Sequence, residues 1–277
     1  MTTQFVTYDV FTDRPFGGNQ LAIVPDARDL PEDHLHAITR EFGFSETVFL
    51  YPPEREGSTA KLRIFTPGGE VPFAGHPVIG TAVMLAQAGA GPQMELDLGI
   101  GPMTINATAE RASFMNAQPL QTLAHPAPAL VARALGLSQS DFAAAPVMAS
   151  VGLDFTFTAL KTRDALALIQ TKIAAFREGH AAHPSSLDFA QVAYVDEGDT
   201  LHMRMFAPLN GVPEDPATGS AAAALAAVLQ QTRGPFEALI HQGVDMGRPS
   251  KIGIKAETDH VIVSGCAVHM MQGELTL

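Results

Sequence analysis

Short alternating stretches open the chain, and two almost wholly apolar stretches of helical length stand about half its length apart. Gln4 to Val10 alternates and is rich in β-branched and aromatic residues, Asp13 to Asn19 supplies turn residues, and Gln20 to Val24 is apolar again, which predicts strand, loop and strand. Pro31, Glu32 and Asp33 lead into apolar Leu35, Ile38 and Phe42 and stop at Gly43, the entry, spacing and exit of a helix. Thr47–Tyr51 and Ala60–Phe65 read as strands. Pro77–Ala90 is apolar on nearly every face, and Ala221–Leu229 is almost pure Ala, Leu and Val; helices of that kind are buried all round. Three prolines in Gln118–Pro128 mark a domain crossing. Val131–Leu137 and Asp164–Phe176 read as helices, Gln191–Val195 as a strand, and the alternating tail from His260 to Leu275 as strands that return to the first domain. The expected domains are 1–118, with 265–277 as a candidate addition, and 119–264.

The two apolar helices are each preceded by the same pattern. Arg63-Ile-Phe65-Thr-Pro67 matches Arg204-Met-Phe206-Ala-Pro208, 141 residues apart, and Val71-Pro72 matches Val212-Pro213 at that offset. The register then slips by three, so that Ala74-Gly75-His76 aligns with Thr218-Gly219-Ser220. Such a self-match predicts a duplicated domain with a loop insertion in one copy. Each copy places a glycine at the mouth of a buried helix, where backbone can approach a ligand and the unpaired N–H groups and helix dipole favour an anion such as a carboxylate. Two such mouths facing one cleft between the domains would form a single site.

Three polar clusters carry candidate chemistry. Glu46 is a lone acid in Phe-Gly-Phe-Ser45-Glu46-Thr-Val-Phe-Leu, where desolvation would raise its pKa toward that of a useful general base; the competing reading is a strand-start glutamate facing solvent. His76 is either a proton donor and orienting group or a helix cap. Asp215, before Pro216, is either a site carboxylate or the start of a turn. Ser220, His76 and Asp215 also spell a hydrolase triad, yet Thr218-Gly219-Ser220-Ala221 is a helix entry and not a strained Gly-x-Ser-x-Gly elbow.

Composition narrows the classes. The net charge of −12 over 277 residues argues against nucleic acid and anionic membrane surfaces as partners. The single cysteine, Cys266, leaves no pair for a disulfide or a two-cysteine proton exchange and is read as a packing residue. No signal-peptide pattern opens the chain and no run of about 18 apolar residues occurs, so a cytoplasmic protein is expected. Gly99-Ile-Gly101 lacks the third glycine of a dinucleotide loop, and His34-x-His36 and His180-x-x-His183 lack further ligands, so neither cofactor nor metal is expected.

At these residues the chain resembles the PhzF-like family of phenazine-biosynthesis isomerases, of the diaminopimelate-epimerase fold. The motifs are Val-Phe-Thr-Asp-Arg-Pro-Phe-Gly-Gly-Asn19, Phe-Ser45-Glu46-Thr, Arg-Ile-Phe-Thr-Pro, Pro-Phe-Ala-Gly75-His76-Pro, Glu-Asp215-Pro-Ala-Thr-Gly219-Ser220 and Gly247-Arg-Pro-Ser250. The resemblance implies an α+β fold of two pseudo-symmetric barrel-like domains, each a curved mixed sheet around a central buried helix, and a homodimer. It implies Glu46 as the acid-base residue, with His76 and Asp215 assisting and Asn19, Ser45, Gly75, Gly219 and Ser220 contacting a small carboxylate substrate. Ala74 lies where the epimerases have their first cysteine motif, which argues against a two-cysteine racemase; Gln20 departs from the proline usual after Asn19. The expectation is a cofactor-independent isomerase, with a non-catalytic carboxylate-binding protein as the main alternative and an epimerase or a Ser220-dependent hydrolase behind it.

Overall fold

The computed structural model describes residues 2–277, which divide into two compact units, one of residues 2–115 with 264–277 and one of 116–263. The first unit contains β1 (Thr2–Val10), β2 (Asn19–Val24), α1 (Glu32–Phe42), β3 (Glu46–Tyr51), β4 (Ala60–Thr66), β5 (Gly69–Val71), α2 (Gly75–Gln87), β6 (Gln93–Leu98), β7 (Gly101–Ala107) and β8 (Arg111–Asn116). The second contains β9 (Gln121–Ala124), α3 (Pro128–Leu135), β10 (Val147–Ser150), β11 (Asp154–Ala159), α4 (Arg163–Ala167), α5 (Ile173–Ala182), β12 (Gln191–Asp196), β13 (Thr200–Ala207), β14 (Val212–Asp215), α6 (Gly219–Arg233), β15 (Phe236–Gln242) and β16 (Ser250–Ala256). A last strand, β17 (Val261–Thr276), belongs to the first unit from Ser264 onward.

In the first unit the pairings run β17, β1, β2, β3, β4, β6, β7, β8 and back to β17, so the mixed sheet closes on itself, with β2–β3 and β4–β6 parallel. Closure leaves no open edge and creates an interior that α2 fills with Val78, Ile79, Ala82 and Val83. At Gly80 a Cβ would come within 2.6 Å of Leu21 and 2.7 Å of Val10, so this helix packs close enough to the sheet to require glycine. Only its first two-thirds are buried: the last turn, through Met84, Leu85 and Gln87, emerges, and Gln87 accepts a hydrogen bond from Tyr8 at 2.6 Å. The helix is therefore not buried all round, because it is longer than the barrel is deep.

The second unit repeats the ladder. β10–β11, β12–β13 and β15–β16 are antiparallel and β11–β12 and β13–β15 parallel, with α6 packed against β10, β11, β15 and β16. Helices cover each outer face: α1 in the first unit, and α3 and α5 over Ala193, Val195 and Phe206 in the second. The helix expected over Asp164–Phe176 is two helices. Between them, the amides of Gln170 and Lys172 donate to Leu135 and Ala134 of α3, at 3.0 and 2.9 Å, and these tertiary bonds replace intrahelical ones. The proline-rich Gln118–Pro128 stretch includes β9, an edge partner of β10.

Strand register corrects the internal alignment. Ile64 pairs with Val71 in one unit, and Met205 pairs with Asp215 in the other. Val71 thus answers Asp215, 144 residues on, and not Val212. The equivalent stretches are Glu70-Val-Pro-Phe-Ala-Gly75-His76 and Glu214-Asp-Pro-Ala-Thr-Gly219-Ser220. Two residues of the slip fall in the turn, where β4 and β5 are joined tightly through Pro67-Gly68 and β13 and β14 by a 3-10 turn, Pro208–Asn210, closed by Gly211 at φ 78°, and the third falls at the register shift between Val212 and Asp215. No helix among the described residues is long and apolar enough to cross a membrane.

Candidate active site

In the first unit the barrel places the ends of β2, β3 and α2 side by side. β2 runs parallel to β3 with Leu21 beside Glu46, so Asn19, Ser45 and Glu46 meet at one rim, and α2 begins there with Gly75 and His76. Ser45 donates its hydroxyl to Asn19 Oδ1 at 3.1 Å, and Asn19 Nδ2 lies 3.4 Å from His76 Nδ1. An amide nitrogen only donates, so in this orientation Nδ1 accepts and neutral His76 carries its proton on Nε2. That nitrogen lies 3.5 Å from Glu46 Oε2.

Asn19 and His76 are 3% and 4% exposed, and the Glu46 side chain 18%. Burial pushes the Glu46 carboxyl up to about 7, and the neighbouring Ser45 hydroxyl opposes this more weakly. Oε2 is buried and makes no hydrogen bond to the described residues; the approach of His76 is too long for a strong one. A carboxyl group in this setting can both take and release a proton near neutrality.

The second unit builds its helix mouth differently. Asp215 is buried at the end of β14 and is hydrogen-bonded to the Thr218 hydroxyl. Gln242, fully buried at the end of β15, accepts from the Thr218 amide at 2.9 Å and donates to the Asp215 carbonyl at 2.7 Å and to Thr218 Oγ1 at 3.0 Å. Ser250 Oγ reaches the carbonyls of Pro216 and Gln242, at 2.5 and 2.9 Å. Gly219 and Ser220 form the first turn of α6, Gly219 buried and Ser220 half-buried. Ser220 therefore sits in ordinary helix, without the strained turn a nucleophile elbow needs.

Neither central helix has a side-chain cap: Ala74 has no polar side chain, and the Thr218 hydroxyl, which an N-cap threonine usually turns toward the first helical amides, is directed at Asp215. First-turn amides left uncapped in this way are suited to a carboxylate.

Thr218 and Gln242 escaped the reading of the sequence. The duplication, carried further, reaches Gln242: Leu96 pairs with Ala60 as Ile240 pairs with Leu201, which makes Gln242 the counterpart of Leu98 and Gly243 that of Gly99. Both glycines press on the matched prolines. A Cβ at Gly99 would meet Pro72 Cα at 2.7 Å, and one at Gly243 would meet the Pro216 carbonyl oxygen at 2.6 Å. Gly99, weighed above as part of a dinucleotide loop, is a packing glycine. The same register, with Thr47 opposite Phe65 and Gln191 opposite Phe206, makes Ala190 the counterpart of Glu46.

The chain matches the family model described as phenazine biosynthesis-like protein (PhzC-PhzF) over residues 8–273. It is 36% identical to a trans-2,3-dihydro-3-hydroxyanthranilate isomerase of Pseudomonas fluorescens, with 99% of each chain covered. Among solved structures, a PhzF-family phenazine biosynthesis protein of Bacillus anthracis superposes with a TM-score of 0.90 at 23% identity over 100% of each chain. A predicted epimerase of Pseudomonas aeruginosa gives 0.84 at 28% identity over 99% of each.

Proposed function

The chain belongs to the phenazine biosynthesis-like family and is an isomerase, and we propose that it moves a proton within a small carboxylate-bearing substrate by cofactor-independent acid-base catalysis at Glu46. Glu46 takes a proton from a carbon next to, or conjugated with, the carboxylate and returns it elsewhere on the same π-system. The substrate keeps its atoms and its oxidation level. His76, presenting Nε2–H, orients Glu46 or exchanges its proton, and Ser45 and Asn19 hold that histidine in its tautomer. The amides at Gly75-His76 are suited to bind that carboxylate, and those at Gly219-Ser220, with Asp215 beside them, offer the same kind of group in the second unit.

The observation that supports this reading best is a single carboxyl with its pKa at about 7, beside a histidine whose other nitrogen is held by an amide. By its name, the P. fluorescens relative acts on trans-2,3-dihydro-3-hydroxyanthranilate, a cyclic carboxylate, which makes that compound and its analogues the first substrates to try.

The test is exchange in D2O. Substrate recovered early in turnover should carry deuterium at the donor or acceptor carbon, and the rate should rise with pH through about 7 as Glu46 becomes a free base. A carboxylate-binding protein without catalysis would bind the same compounds with no exchange. Near-normal turnover by Glu46→Gln would sink the assignment.

A further inference from the structure

Among the described residues three phenylalanines hold a positive φ: Phe11 at 65°, Phe16 at 68° and Phe189 at 67°. Side chains other than glycine adopt that conformation at a cost. Phe11 and Phe189 are fully buried, and each ring lies close to a glycine: a Cβ at Gly265 would come within 2.2 Å of the first, and one at Gly179 within 2.1 Å of the second. Packing of the ring offsets the cost there. Phe16 is 75% exposed and gains no such burial.

The backbone at Phe16 is nonetheless fixed. Residues 11–18 join β1 to β2, whose last pair is Val10 with Asn19. The Phe16 amide donates to Asp9 Oδ2 at 2.8 Å, and Asp9 is 3% exposed. Thr12 Oγ1 accepts from the Arg14 amide at 3.3 Å and donates to the Arg14 carbonyl at 2.9 Å. Gly18, at φ 62°, lies against the Val10 carbonyl oxygen, which a Cβ would approach to 2.1 Å. A loop that needed only this backbone shape could carry glycine at position 16, as it does at Gly17 and Gly18. Strain retained under an exposed side chain is a mark of a functional position.

The loop leads directly into the site of the first unit. Asn19, three residues after Phe16, accepts from the Ser45 hydroxyl and lies beside His76, and Glu46 starts the neighbouring strand β3. Asn19, Ser45, Glu46 and His76 are all polar, whereas a cyclic substrate also presents carbon. We propose that Phe16 is a substrate-binding residue whose ring packs on the carbon ring of the substrate at this rim. The proposal rests on the reading above that the substrate is a cyclic carboxylate.

Anthranilate, a stable fluorescent ring carboxylate, tests this by direct binding, with no tryptophan in the chain to obscure its emission. Phe16→Ala should raise Kd about three- to tenfold, the size of one lost aromatic contact, and Phe16→Tyr should stay within about twofold of the parent. Under saturating trans-2,3-dihydro-3-hydroxyanthranilate, kcat of Phe16→Ala should change by less than about threefold, because the contact serves ground state and transition state alike. Phe16→Gly should lose the same affinity yet raise the melting temperature by about 1–3 °C, since it relieves the strain. A parent-like Kd in Phe16→Ala, or a melting temperature that falls in Phe16→Gly, overturns the proposal. So does a changed mass in solution with Kd unchanged, which would put the ring against a second copy of the chain. Glu46→Gln separates this proposal from the reading it rests on, because it should still bind anthranilate while losing exchange. If it does so and the Phe16 variants bind normally, only the role of Phe16 falls; a parent that does not bind anthranilate overturns both.

Discussion

The two units share a frame and differ in what they attach to it. Both carry an arginine stacked on the phenylalanine two residues on and paired with the glutamate of the return strand: Arg63 with Phe65 and Glu70, Arg204 with Phe206 and Glu214. Both carry a glycine packed on a proline, and an uncapped buried helix behind it. In the first unit the acid stands at the start of β3, where the second has Ala190; in the second unit it stands at the end of β14, where the first has Val71. A duplication preserves what holds the backbone and is free to vary side chains that only line a rim.

The largest effect should come from erasing the difference. Glu46→Ala installs the residue of the matched position, and if Glu46 is the base it should cut kcat about 10² to 10⁴-fold, measured as deuterium exchange under saturating substrate. A loss below tenfold would mean that the chemistry lies outside Glu46.

Next comes the shared frame, which is not equally buried. Arg204 is 10% exposed, donates to the carbonyls of Leu166 and Ala167, and pairs with a Glu214 that is 17% exposed. Arg63 is 19% exposed, but its partners Glu32 and Glu70 are 73% and 44% exposed. Arg204→Ala should cost about 3 kcal/mol, leaving a half-buried glutamate without its arginine; Arg63→Ala should cost about 1 kcal/mol, as for pairs open to water. Chemical denaturation of both variants gives the comparison, and equal losses would break it.

A smaller effect than that of Arg204 tests the equivalence of the two glycines. Gly99→Ala and Gly243→Ala each drive a methyl group into a matched proline and should destabilise by about 1–3 kcal/mol. Gly243→Ala should be the worse, because Gly243 also has φ +69°, which alanine adopts poorly. An unchanged melting temperature in either would remove that pair from the equivalence.

Much of the fold was legible because its signals are local. Pro31 and Gly43 bracket α1, whose closing amide donates to Thr39 from a left-handed glycine. The repeated Arg-x-Phe-x-Pro and the glycines before two apolar helices needed only inspection of the chain. The alignment after Pro67 misled, because Val71-Pro72 and Val212-Pro213 are alike as letters; only pairing with Ile64 and Met205 shows which residues occupy the same place. The break between α4 and α5 was equally hidden, since the bonds responsible go to α3.

The chemistry divides along the same line. By itself the sequence determined that an acid, a histidine and an asparagine stand near turns and helix starts, because residue identity and short spacing need no partner to be read. Which nitrogen of His76 carries the proton and what raises the Glu46 carboxyl were decided only by tertiary structure. Those properties depend on desolvation and on hydrogen-bond direction, and both come from residues as distant in sequence as Asn19 from His76.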